Sequence, residues 1–337
     1  MKAIGYYESL PISDQRSLQD LTIAEPVPGP RDLLVRVRAI SVNPVDVKVR
    51  AGVAPTAGQA KVLGWDVSGV VETVGVEVSA YHPGDQVYYA GAIDRPGANA
   101  ELHVVDERVV GHKPVSLSHA QAAALPLTAI TAWELLFDRL GVAYGVKGAT
   151  GTLLVVNGAG GVGSILIQLA RRLTGLTVIA TASRPETIAW VQEMGAHHVI
   201  DHRRPLTEGL ATIGHPQVDL VASLSGTEQH LPALVEAIAP QGRLALIDDP
   251  KSLDIAPFKR KSVSVHWEFM YTRSLFQTAD MAEQRRLLNE VADLVDAGVL
   301  RTTLKQDLGP ITAANLRQAH GVLESGKAIR KLVLSGF

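Results

Sequence analysis

The chain contains no cysteine. Disulfides, a thiol nucleophile and every cysteine-based zinc site are thereby excluded, and a cytoplasmic location is expected. Charge of one sign is also lacking. Lys+Arg is 32 against Asp+Glu 34, a net charge of −2, so no basic excess drives contact with a phosphate backbone and nucleic acid is not expected as a partner. No uninterrupted apolar run reaches the roughly 18 residues of a membrane span, so no transmembrane helix is expected. The opening residues, Met1-Lys2-Ala3-Ile4-Gly5-Tyr6, read as a first strand rather than a signal peptide. What is present is globular material: 46% hydrophobic and 20% charged residues over 337 positions, enough for two domains with buried cores. The 30 glycines and 18 prolines suit many short turns.

Residues 1–120 read as short strands broken by Pro and Gly. In Asp32–Ile40, Leu34, Arg36 and Arg38 alternate with Val35, Val37 and Ala39, a half-buried strand pattern. Val67–Gly75 and Gln86–Ala90 are further strands, separated by turn signals such as His82-Pro83-Gly84-Asp85. This half is expected to be a twisted, mostly antiparallel β domain. Near residue 119 the pattern changes. A helical stretch opens at Ala120–Ala124 and continues past Pro126 to Phe137. Then strands (Thr152–Val156, Thr177–Thr181, Val199–Ile200, Val218–Val221, Arg243–Ile247) alternate with helices (Val162–Leu173, Glu186–Met194, Glu228–Ile238). That alternation implies an α/β fold with a parallel, doubly wound sheet of the Rossmann kind. A long helix (about 280–297), a shorter one (313–324) and a last strand (331–334) close the chain.

The most informative motif is Gly158-Ala159-Gly160-Gly161-Val162-Gly163. It follows an apolar strand after Asn157 and opens an amphipathic helix, the context required of a dinucleotide-binding loop. Gly158 permits the turn off the strand, Gly160 lets a pyrophosphate approach the backbone, and Gly163 lets the helix sit close to the sheet. The helix N-terminus offers N–H groups and partial positive charge. The tip of the second strand reads Thr181-Ala182-Ser183-Arg184-Pro185-Glu186. An NAD site ordinarily carries an acid there for the ribose 2′-hydroxyl. Here a hydroxyl and a guanidinium stand instead, which suits the 2′-phosphate of NADPH. Ser183-x-x-Glu186 also has the spacing of a capping box, with Pro185 in the first turn.

These residues resemble the medium-chain dehydrogenase/reductase superfamily along nearly the whole chain, and most of all its zinc-less quinone-oxidoreductase-like members, often labelled zinc-type alcohol dehydrogenase-like. The resemblance is carried by Ser41-Val42-Asn43-Pro44-Val45-Asp46, by Val62–Val71, by Ala123–Ala132, by the glycine loop and by the closing stretch from Gly326 and Lys327 to Leu334. It implies a GroES-like β domain for the substrate (1–122 and 268–337) and a Rossmann NADP-binding domain (123–267), with the cofactor between them. Zinc-dependent relatives have Cys where this chain has Asn43, and Gly-His-Glu where it has Gly64-Trp65-Asp66. Neither Asn43 nor Trp65 is a useful zinc ligand, and the Cys-rich structural-zinc lobe is missing. No metal is expected. The eleven histidines supply no site: His197 and His198 face opposite ways on a strand, and His103, His112 and His119 lack helical i, i+4 spacing.

Without a Lewis acid, reduction of a quinone or an α,β-unsaturated carbonyl is the expected chemistry, since negative charge then spreads onto a conjugated oxygen that hydrogen-bond donors can stabilise. By resemblance, Asn43 sits near the nicotinamide, or forms the turn before Pro44. Lys48 stands where many relatives carry Tyr; it stabilises the developing oxygen, or is a solvated strand lysine. Trp65 walls the site, or fills the space of the missing metal. Thr128 and Thr131 match positions touching ribose and nicotinamide, and His202 one near the adenosine phosphate. Leu224 counts among the cofactor contacts. Ile247 and the Trp267-Glu268-Phe269 segment fall on the nicotinamide side, or Trp267 and Phe269 belong to an interface or core strand, and Lys331 approaches the cofactor. Two other functions stay open: an alcohol or aldehyde dehydrogenase, and a non-catalytic NADPH-binding protein of crystallin type. A homodimer is expected from the family, paired through the strand near Val263–His266.

Overall fold

The computed structural model describes every residue except Ala149 and Lys327, so Lys327 of the closing stretch lies outside the described residues. Two units form, one from Met1–Ile130 with Tyr271–Phe337, the other from Thr131–Met270. The chain begins with β1 (Lys2–Tyr6), β2 (Gln19–Thr22), β3 (Asp32–Ser41), α1 (Pro44–Gly52), β4 (Lys61–Val62), β5 (Val67–Val74), β6 (Gln86–Tyr89), β7 (Leu102–Asp106) and β8 (Val110–His112). Helices α2 (His119–Ala123) and α3 (Pro126–Trp133) follow, then β9 (Thr152–Val156), α4 (Gly161–Leu173), β10 (Thr177–Thr181), α5 (Pro185–Met194) and β11 (His198–Ile200). Next are α6 (Leu206–Thr212), β12 (Val218–Ser223), α7 (Thr227–Ala237), β13 (Ile238–Leu246) and β14 (Ser264–Trp267). The chain closes with α8 (Thr272–Leu275), α9 (Glu283–Asp296), β15 (Leu304–Asp307), α10 (Ala313–Glu324) and β16 (Lys331–Ser335).

In the first unit the alternation of β3 resolves as a two-faced strand: Leu33, Val35, Val37 and Ala39 are buried while Arg38 is exposed. β3 is the hub of a largely antiparallel sheet ordered β15-β16-β3-β5-β6-β8, with β7 also on β3. A three-stranded sheet, β2-β1-β4, completes it. Helix α9 buries Leu287, Leu288, Val291 and Val295, a one-sided stripe, and the buried Tyr88 hydroxyl of β6 donates to the Leu288 carbonyl at 2.5 Å. Each such side chain contributes about 1.5–3 kcal/mol.

Residues 44–52 overturn one expectation. They form a helix, α1, so Lys48 is an exposed helix residue and not a strand lysine. Pro44 occupies the first turn, where its missing N–H costs nothing, and Asp46 accepts from the Asn43 backbone N–H at 2.7 Å. The buried Arg50 fixes α1 to α10: its Nε donates to His320 Nδ1 (3.3 Å) and its other nitrogens bond Glu324 and the Leu10 carbonyl. Burial, with the Arg50 charge, pushes His320 down to about 3, so it stays a neutral acceptor.

The helical stretch His119–Arg139 is long and apolar enough to cross a membrane by length and composition, although polar residues interrupt every apolar run. Most of it is buried inside the structure, as in a core helix. It ends in a π-helical segment, Glu134–Arg139.

The second unit is a six-stranded parallel sheet ordered β11-β10-β9-β12-β13-β14. β9 sits at its centre with Leu153 to Val156 at most 1% exposed, as a strand covered on both faces must be. Ile179 lies beside Leu154, and Leu154 beside Val221. These residues join Leu210, Leu234, Leu244 and Phe258 in one core cluster. The strand order reverses between β9 and β12, which makes the carboxyl edge there a topological switch point.

Candidate active site

The glycine loop spans that switch point. Asn157, with φ 64°, turns the chain off β9, and its N–H donates to the Thr181 hydroxyl at 2.9 Å, fastening the loop to β10. A Cβ on Gly163 would lie 2.5 Å from the Gly158 carbonyl oxygen, and one on Gly158 would lie 2.9 Å from Ala180 Cβ. Both glycines therefore serve the protein's own packing. Gly160 differs: a Cβ there would have no neighbour closer than 3.5 Å. Gly160 is also the N-cap of α4 and supplies no capping side chain, so the first-turn N–H groups, including those of Gly161, Val162 and Gly163, are left for an outside acceptor. Ala159 is buried. A dinucleotide pyrophosphate fits this cradle, which only glycine at position 160 leaves clear.

The remaining second-unit candidates line the same edge of the sheet. Ser183 and Arg184 follow β10, His202 follows β11, Leu224 follows β12 and Ile247 follows β13. The Leu224 N–H donates to the Val156 carbonyl (3.4 Å) and the Ile247 N–H to the Ser223 carbonyl (3.3 Å), which carries the register past the strand ends. Ser183 is not the helix cap. Arg184 is, because Pro185 takes the first helical position, and the Thr187 hydroxyl, not Glu186, closes the box by accepting from the Arg184 N–H at 3.1 Å. Arg184 Nε lies 3.2 Å from Glu186. The His202 ring lies 6.4 Å from that of His230. Thr131, on α3, is 5% exposed. Nearby in sequence, buried Glu134 on the π-helical segment shares a hydrogen bond with buried Glu268, which Arg139 also holds at 2.9 Å. Burial and the Glu134 charge push Glu268 up to about 9, so it keeps its proton at neutral pH.

The first unit holds the other candidates around a buried charge cluster. Lys331 Nζ, at the start of β16, donates to Asp66 Oδ2 (2.8 Å), to the Val42 carbonyl (3.2 Å) and to Asn43 Oδ1. Asn43 Nδ2 donates to Asp66 Oδ2 at 2.8 Å, and the Leu127 N–H to Asp66 Oδ1 at 2.8 Å. Asn43 is 1% exposed, so both ends of its amide are spent inside the unit. Burial raises the Asp66 carboxyl above its ordinary value and Lys331 opposes that rise; Asp46 is pushed up by burial to about 7. Trp65 is 2% exposed, donates to the Ala92 carbonyl at 3.1 Å and meets Tyr271 edge-on with ring centres 6.4 Å apart. It fills space in the core of this unit. The Thr128 hydroxyl donates to the Leu125 carbonyl at 3.0 Å.

Sequence reasoning missed three features. The Lys331–Asp66 pair spans 265 residues, and no local pattern links the two. Glu134 and Glu268 are equally remote from each other. Arg203 donates to the Ser183 carbonyl at 2.8 Å and thus belongs to the tip of β10; its one local signal is the i, i+2 spacing from Asp201, which it also bonds.

Two family models match the chain, an alcohol dehydrogenase GroES-like domain over residues 29–118 and a zinc-binding dehydrogenase over residues 194–334. The zinc-type alcohol dehydrogenase-like protein SAV2186 of Staphylococcus aureus is 36% identical over 99% of this chain and 100% of its own length. The human mitochondrial NAD(P)H oxidoreductase RTN4IP1 is 30% identical over 91% of this chain and 82% of its own. Among solved structures, a Rhizobium etli CFN 42 protein described as a zinc-dependent alcohol dehydrogenase superposes with TM-score 0.97 at 56% identity, covering 100% of this chain and 98% of that one. A quinone oxidoreductase from Pseudomonas syringae pv. Tomato DC3000 superposes with TM-score 0.83 at 26% identity, covering 99% of each chain. The zinc in several of these names does not suit the residues here. The Asp66 oxygens are already taken by an ammonium, an amide and a backbone N–H, and the flanking Trp65 has no donor atom for a metal.

Proposed function

The chain belongs to the medium-chain dehydrogenase/reductase superfamily of oxidoreductases, with its NAD(P)-binding fold, and from that premise we propose that it is an NADPH-dependent, zinc-independent reductase of quinones or α,β-unsaturated carbonyl compounds. The observation that carries this reading is the Lys331–Asp66–Asn43 cluster. Its oxygens accept from an ammonium of the chain itself, so the substrate class has to be one whose reduction needs no Lewis acid. A conjugated acceptor meets that condition, because the incoming charge delocalises onto an oxygen that a hydrogen-bond donor can stabilise. A simple alcohol does not, since its oxidation passes through an alkoxide.

NADPH, when bound, supplies the hydride. The protein supplies position and charge. The α4 N-terminus and Gly160 receive the pyrophosphate. Ser183 and Arg184, at a strand tip that carries no acid, receive the 2′-phosphate. The exposed Lys48 on α1 donates a hydrogen bond to the substrate oxygen as charge gathers there. Asn43 acts indirectly, by holding Lys331 and the start of α1. The names of RTN4IP1 and of the Pseudomonas quinone oxidoreductase support this reading. A homodimer is part of the proposal: β14 ends the parallel sheet, and Trp267 (55%) and Phe269 (46%) are exposed along and beyond it. Light scattering that returned a monomer would refute the dimer.

The test of function is the loss of absorbance at 340 nm with NADPH and a panel of quinones, enones, aldehydes and ketones. Turnover confined to the quinones or enones is expected. Turnover only with aldehydes or ketones would assign an alcohol dehydrogenase, and cofactor binding with no turnover would assign a non-catalytic protein.

A further inference from the structure

Two guanidinium groups stand at the carboxyl end of β10. Arg184 lies 3.2 Å from Glu186, so part of its charge is answered on its own helix. Arg203 comes from the turn after β11 and is held differently. Its Nη2 donates to the Ser183 carbonyl (2.8 Å) and to Asp201 Oδ2 (2.7 Å); its Nε donates to Asp201 Oδ1 (3.0 Å) and Oδ2 (3.2 Å). The Arg203 backbone N–H also donates to Asp201 Oδ1 at 2.9 Å. This bidentate grip fixes the plane of the fork and covers the Nε–Nη2 edge. It leaves Nη1, with two N–H donors, free of hydrogen bonds among the described residues, on a side chain that is 63% exposed. Arg203 is therefore oriented but not exhausted, which is how a receptor for an anion is prepared. A second observation falls at the same edge. His202, between Asp201 and Arg203, has a buried Nδ1 with no hydrogen-bond partner among the described residues.

We propose that Arg203 is a specificity-determining residue of the 2′-phosphate site, acting beside Ser183 and Arg184 through its open Nη1. The proposal rests on the NADPH reading above and extends it to a residue from a different strand. The Asp201 carboxylate lies on the opposite edge of the fork, so it steadies the guanidinium without standing where the phosphate oxygens arrive. A lysine at 203 would keep the charge but lose the grip on Asp201 and the anchor on Ser183 together.

The experiment is isothermal titration of NADPH, NADH and adenosine 2′,5′-bisphosphate into the wild-type protein, Arg203→Met, Arg203→Lys and Arg184→Met. Circular dichroism checks the fold, which an exposed side chain should not perturb. The wild type is expected to bind NADPH at least about ten-fold tighter than NADH. Arg203→Met should weaken NADPH and the bisphosphate by about ten-fold or more and NADH by less than about two-fold, and Arg203→Lys should recover only part of the loss. A preserved NADPH-to-NADH ratio in Arg203→Met, when Arg184→Met collapses it, would overturn the role of Arg203 and spare the cofactor reading. Equal weakening of both cofactors would overturn it as well. A wild type that binds NADH as tightly as NADPH would bring down the cofactor reading, and this proposal with it.

Discussion

Replacing Lys331 by Met removes a buried ammonium and leaves its partners in place. Asp66 is 0% exposed and Lys331 3%, so the carboxylate left behind has no water to turn to. Breaking a buried ion pair from one side costs about 3–5 kcal/mol, because the surviving charge keeps its desolvation penalty. The Asn43 and Val42 oxygens lose a donor as well, at about 1 kcal/mol each, while the Met side chain returns some apolar packing. A net loss of about 4 kcal/mol follows for the first unit. The loss depends on pH. Burial already raises the Asp66 carboxyl, and Lys331 is a main force opposing that rise. In the variant the folded-state pKa climbs further above the unfolded value. The folded variant then takes up a proton as pH falls through that raised pKa, while the unfolded chain does not. The deficit is therefore largest at high pH and shrinks as pH falls through the raised pKa. Urea unfolding, followed by hydrogen exchange of peptides spanning β5 and β16, measures the first unit on its own. Lys331→Met with Asp66→Asn should recover most of the loss. A deficit under about 1 kcal/mol at pH 8, or one that does not change between pH 8 and 5, would refute the reasoning.

Three further outcomes are expected. Asp46, pushed up by burial to about 7, costs stability when it ionises, so Asp46→Asn should gain on the wild type as pH rises from about 4 to 8, by about 4 kcal/mol at most; a gap in melting temperature that does not change with pH would contradict this. Gly160→Ala should melt like the wild type yet bind NADPH at least about ten-fold more weakly, whereas Gly163→Ala should lose about 1–3 kcal/mol of stability, because its Cβ would press on the Gly158 carbonyl; calorimetry and titration separate the two. Lys48→Met should slow NADPH oxidation about ten-fold, and unchanged turnover would remove Lys48 from the mechanism.

Much of the second unit was legible because local signals agreed there. The run Thr152–Val156, the glycine loop and the helix after it each point to the same strand–turn–helix, and all three are found. Helix α1 was hidden by a local coincidence. Val45, Val47 and Val49 alternate with Asp46, Lys48 and Arg50, which is strand periodicity. The helix prevails because Pro44 and the Asn43–Asp46 cap start it, and because buried Arg50 ties it to α10. The cap of α5 was displaced by one residue for a similar reason: Ser183 is the better capping type, but Pro185 claims the first turn and leaves the cap to Arg184. Lys331 with Asp66, and Arg203 with Ser183, meet only through tertiary structure, and no periodicity encodes such a contact.

We propose metal-free reduction of a conjugated acceptor at the expense of NADPH. Its most direct test is kcat/KM for quinone and enone reduction by protein dialysed exhaustively against a strong chelator, measured with NADPH and with NADH. The chelated protein is expected to keep its full rate and to favour NADPH by at least about ten-fold. A rate that vanishes on chelation and returns with zinc would instead assign a zinc-dependent enzyme.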